Sequence, residues 1–116
     1  MTTFHKTIST KSSRHNRDAK TEDSNTTRCK ISIAPDAGDR FGQQGMDQAS
    51  KLATIAAFEL AAAFVRAIPP GCTWCMPHVE AGESWAGGAS AFVTFEHDGV
   101  EVVIAAIQKV VAQASK

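Results

Sequence analysis

From Asp47 to Ala67 the apolar residues recur in steps of three and four, and Pro69-Pro70-Gly71 closes the run. Ala49, Leu52, Ala53, Ala56, Leu60, Ala63, Phe64 and Ala67 form one stripe, and Ile55, Phe58, Ala62 and Val65 form a second. That spacing belongs to an α-helix with more than one apolar side. At about 1.5 Å per residue the helix is roughly 30 Å long, the span of a whole small domain, so the remaining elements have to be arranged along it. Asp47 is placed to cap its start, and Arg66 suits the negative end of its dipole. The two prolines end it by removing backbone donors and forcing Ile68 out of the helical region. The apolar run Leu52–Ile68 contains Glu59 and Arg66. It falls short of the about 20 apolar residues a spanning helix needs, so no membrane association is expected.

Strands are read on both sides of this helix. Arg28–Ala34 alternates, with Cys29, Ile31 and Ile33 on one face and Lys30 and Ser32 on the other. This is a half-buried strand that stops at Pro35. The glycines at 38, 42 and 45 match neither a dinucleotide fingerprint nor a Walker loop, so no phosphate cradle is expected there. Trp74–Val79 and Ala89–Glu96 read as two strands joined by a glycine-rich loop, Glu80–Gly88. Pro77 lacks an N–H, which puts the first of the two at a sheet edge. In the last segment Asp98-Gly99 would suit a hairpin turn, but Val100, Val103, Ile104, Ile107, Val110, Val111 and Ala114 keep the helical period. Asp98 and Glu101 have capping-box spacing, and the helix is the preferred reading. The expected fold is α+β: a small two-layer β-α-β-β-α sandwich, a three-stranded sheet with two helices on one face.

The formal charge of zero conceals an asymmetry. Residues 1–30 carry seven basic and three acidic side chains, a net of +4, which leaves −4 for residues 31–116. Residues 1–27 are mostly Thr, Ser, Lys, Arg, Asn and Asp without sustained periodicity. Such a composition buries too little surface to offset its ordering entropy. It is expected to be a flexible basic tail, dispensable for folding, ahead of a domain at 28–116. Without a dense Lys/Arg run or interleaved aromatics, direct nucleic-acid contact is not expected. The first thirty residues show no apolar signal-peptide core, and three cysteines do not make a secreted disulfide scaffold, so the expected compartment is the reducing cytoplasm.

The one chemically dense stretch is Cys72-Thr73-Trp74-Cys75-Met76-Pro77-His78. Cys72, Cys75 and His78, with His97 or Cys29 as a fourth ligand, define a candidate metal set for which zinc is the fitting ion. Two observations weigh against it: no second ligand pair follows, and residues three apart in a flat strand point to opposite faces. Redox chemistry is disfavoured because the pair follows a helix instead of opening one, and heme attachment because Met76 stands where a histidine is required. Gly82-Glu83-Ser84-Trp85-Ala86 departs from the nucleophile-elbow pattern at its last position, and the chain is too short for the sheet such an elbow needs. No cofactor is expected on these grounds.

What remains is recognition. Trp74 and Trp85 flank the expected loop with Glu80 and Glu83, and exposed tryptophans are strong interface anchors. The sequence therefore reads as a non-enzymatic binding or inhibitory protein acting on a larger protein or nucleoprotein complex, of the kind encoded by phages and plasmids. Self-association into a homo-oligomer is left open. The alternative is a small metal- or thiol-dependent protein centred on the cysteine cluster.

Overall fold

The computed structural model describes residues 4–15, 24–35, 43–85 and 88–116. The elements are β1 (Phe4–His15), β2 (Ser24–Pro35), α1 (Gln43–Ala67), β3 (His78–Trp85), β4 (Gly88–Asp98) and α2 (Glu101–Ala114). The strands form one antiparallel sheet in the order β1-β2-β4-β3. Both helices pack on the same face of it.

The two-layer α+β class agrees with the sequence, but the sheet has four strands, not three. The extra strand is β1, which lies inside the segment expected to be a tail, and Ser24–Thr27 of that segment belong to β2. Positions 1–3 and 16–23 of the expected tail lie outside the described residues, as do 36–42 of the glycine loop. Residues 1–27 carry too few apolar side chains to build a core of their own. An edge strand needs only a ladder to pair with and a few residues to lay on an existing core. β2 supplies the ladder from Phe4↔Pro35 to His15↔Ser24, and Phe4 and Ile8 pack against the core.

The buried side of the sheet follows strict alternation. Thr27, Cys29, Ile31 and Ile33 of β2 lie across from Phe95, Val93, Ala91 and Ala89 of β4, and all eight are buried. α1 lays Ala49, Ala53, Ala57, Leu60 and Phe64 on this surface, and α2 adds Val103 and Ile107. The small alanines let the helix backbone approach the sheet, and two large rings fill the wider end. Phe64 stacks on Phe95 with centroids 5.5 Å apart and planes within 3° of parallel.

The second stripe of α1 departs from expectation, since Ile55, Phe58 and Ala62 face solvent and only Val65 joins the core. Residues 47–67 are long and apolar enough to cross a bilayer on length and composition. The core helix of a soluble domain meets the same criterion, and one side of α1 is already buried against the sheet.

α2 is helical as the periodicity indicated, but it begins without the capping box. Its N-cap is Val100, with no side-chain cap, because the Asp98 carboxylate is taken elsewhere. Asp98 Oδ2 accepts the Thr73 backbone N–H at 2.8 Å, and Oδ1 accepts the Thr73 hydroxyl.

Candidate functional site

The segment after α1 does not enter β3 directly. It runs beside the end of β4, where the Cys75 N–H donates to the Glu96 carbonyl (2.9 Å) and the Asp98 N–H to the Thr73 carbonyl (3.0 Å). These bonds pair Trp74 with His97 in an isolated antiparallel bridge. The indole of Trp74 lies on the helix side, tilted against Phe95 at 6.3 Å, yet it is 44% exposed. Met76 is 85% exposed. A small cleft of about 160 Å³ opens here between Ser24, Trp74, Cys75, Glu96 and Asp98.

The same extended backbone separates the cysteines. Cys72 packs against the core, whereas Cys75 is exposed beside Glu96. His97 is buried under the sheet with both ring nitrogens occupied. Its Nδ1 lies 2.9 Å from the Asp98 carbonyl oxygen, which can only accept, so Nδ1 carries the proton. In the neutral ring Nε2 then accepts the Thr27 hydroxyl at 2.7 Å. This leaves no lone pair for a metal, and His78 lies further along on exposed β3. Among the described residues no three of His, Cys, Asp and Glu are grouped to hold a metal ion.

All three cysteines are free, and their surroundings differ. Burial pushes the Cys29 thiol above its ordinary range, opposed by a weaker hydrogen bond with Thr10. A thiol reagent at pH 8 should therefore modify Cys75 first and Cys72 more slowly, and reach Cys29 only when the protein is unfolded. Three equivalents reacting at one rate in the native protein would contradict these positions.

The recognition residues do not share one surface. Glu80, Glu83 and Trp85 were expected on a loop, but Glu80–Trp85 belongs to β3, which shifts register between Ala81 and Ser84. At that shift the backbone lies so close to β4 that a Cβ on Gly82 would sit 2.4 Å from Ser90 Oγ and 2.8 Å from Phe92. Any other residue there would have to displace the Ser90 hydroxyl and the Phe92 ring. Trp85 pairs with Gly88 and lays its indole across that glycine on the face away from the helices; it remains 40% exposed. The cross-strand partners of Trp74 and Trp85 are His97 and Gly88, so the two indoles are about 30 Å apart along β4 and on opposite faces.

The open face also assembles residues that sequence reasoning had not grouped. Glu80 pairs with Arg28 at 3.3 Å, and the Arg28 guanidinium lies 4.2 Å above the Phe92 ring. Ser9, Lys11 and Lys30 complete a cleft of about 210 Å³ around this pair. The only hint in the sequence was the basic excess of residues 1–30. No protein-family signature, curated protein or solved structure matches this chain.

Proposed function

We propose that this chain is a non-enzymatic binding protein that acts on a larger protein or nucleoprotein complex, with its protein contact at the end of the sheet around Trp74 and Met76. One observation carries the reading: a half-exposed indole and a nearly fully exposed methionine sit on backbone already hydrogen-bonded to β4. An anchor held this way loses little freedom when a partner covers it. Val100 and Val102, just past the end of β4, add exposed apolar surface at the start of α2. The most polar buried groups of the region, His97 and Thr27, satisfy each other and serve the fold. Free thiols suit the reducing cytoplasm.

The test is affinity capture from the cells that encode the protein, using the wild type beside Trp74→Ser/Met76→Ser. A buried tryptophan anchor is worth about 2–4 kcal/mol, so the double variant should lose the captured partner roughly thirtyfold or more in affinity. Its thermal midpoint should stay within about 3 °C of wild type, since both residues are surface positions. Undiminished binding by the double variant, with loss in Trp85→Ala instead, would move the contact to the opposite end of the sheet.

A further inference from the structure

The open face of the sheet contains an arrangement that the fold does not need. In the β1–β2 register Lys11 stands directly opposite Arg28, and Ser9 directly opposite Lys30. Across the next ladder Arg28 faces Thr94 and Lys30 faces Phe92. Directly opposed like charges destabilise an antiparallel pair, so Lys11 against Arg28 weakens the sheet that contains it. Lys30 adds a third cation, its Nζ 6.0 Å from the Phe92 ring.

Arg28 is also oriented. Phe92 supports one face of its guanidinium, Glu80 Oε1 accepts from Nη1 at 3.3 Å, and Thr94 Oγ1 lies 3.5 Å from the same nitrogen. The side chain is still 46% exposed, so the outer face of the planar group is open to solvent. Trp85 lies on this same face, four residues along β4 from Phe92 by its pairing with Gly88 and about 13 Å away.

We propose that this face binds single-stranded nucleic acid, with an unpaired base stacked on the Arg28–Phe92 platform and the flanking phosphates held by Lys11 and Lys30. Charge complementarity selects a polyanion, because Lys11, Arg28 and Lys30 meet in one cleft and Glu80, paired with Arg28, offsets only one of the three. The stacking surface narrows the choice further. Unstacked bases dock on aromatic rings and on guanidinium planes exposed by a flat sheet, which a duplex with its bases stacked inside cannot do. The platform faces away from the helices, so both ligands could be carried together.

Fluorescence anisotropy with a fluorescein-labelled 12-nucleotide oligo-dT or oligo-U tests this on the full chain. Two phosphate contacts predict a slope of about −1.4 in log affinity against log salt, hence a loss of roughly sevenfold between 50 and 200 mM. Lys11→Ala/Lys30→Ala should flatten the slope to near zero. Arg28→Lys keeps the charge and loses the plane, and should weaken binding about fivefold or more at an unchanged slope. Lys51→Ala and Lys109→Ala, on the helices, should bind as wild type does. Each variant is compared at a thermal midpoint shown to match wild type. No binding up to 200 µM protein in 50 mM salt would overturn the proposal, as would Lys11→Ala/Lys30→Ala binding like wild type. A polyglutamate peptide competing as well as unlabelled oligonucleotide would also overturn it, and would give the face to an acidic protein segment.

Discussion

Leu60→Asp should leave no cooperatively folded protein. Leu60 is 3% exposed, on the buried side of α1 between the sheet and α2. The substitution removes a buried side chain whose loss to alanine alone costs about 2–5 kcal/mol. It also places a carboxylate on the apolar side of α1 against Val110, a desolvation cost that Lys6, at the edge of the same cleft, offsets only in part. A domain of this size is stable by only about 5–15 kcal/mol in total. The expected result is loss of near-ultraviolet circular dichroism and of a sigmoidal melt. Ile55→Asp is the matched control: Ile55 is 53% exposed on the outward stripe of the same helix, and its replacement should change stability by under about 1 kcal/mol. Equal effects of the two changes would mean that the outward stripe is covered in solution, by a second copy of the chain or by another protein.

Deleting residues 1–15 should lower the thermal midpoint by at least about 10 °C. The composition of this segment leads to the opposite expectation, that its removal is silent. In the structure the deletion takes away a 12-residue strand, uncovers the backbone groups of β2 along that ladder, and strips Phe4 and Ile8 from the core. It also removes Thr10 from beside Cys29. A loss of about 2–3 kcal/mol is a modest sum for these contacts, and each kcal/mol moves the midpoint of a domain near 100 residues by roughly 4–8 °C. The truncated protein should also admit thiol reagents to Cys29, because β2 becomes an edge strand whose local opening is cheaper. An unchanged midpoint with Cys29 still protected would show that β1 adds nothing to the folded state.

α1 from Asp47 onward, its end at the Pro69-Pro70 block, the helical period of α2 and the inward face Cys29-Ile31-Ile33 were legible in the chain, whereas the start of α1 at Gln43, which puts the expected cap Asp47 inside the helix, was not. Each legible feature depends on neighbours within a few residues, where the period of the backbone and the lost N–H of proline act directly. The β3–β4 hairpin was legible in kind, but its extent was not. Gly82 looked like a loop residue and is instead the point where β3 presses on Ser90 and Phe92.

Tertiary structure decided what depends on distant partners. A polar stretch of Ser, Thr, Lys and His becomes a strand because β2 presents an unsatisfied ladder, a condition that appears nowhere in residues 4–15 themselves. Asp98 has the spacing of a helix cap, but Thr73, 25 residues earlier, takes its carboxylate. Trp74 and Trp85 look like one recognition pair because they are eleven residues apart in sequence, and an extended backbone puts them at opposite ends of the sheet. Lys11 and Arg28 look like scattered charges, and the strand register sets them face to face. Local periodicity determined which segments are regular; the non-local pairing of backbone donors and acceptors determined which side chains meet.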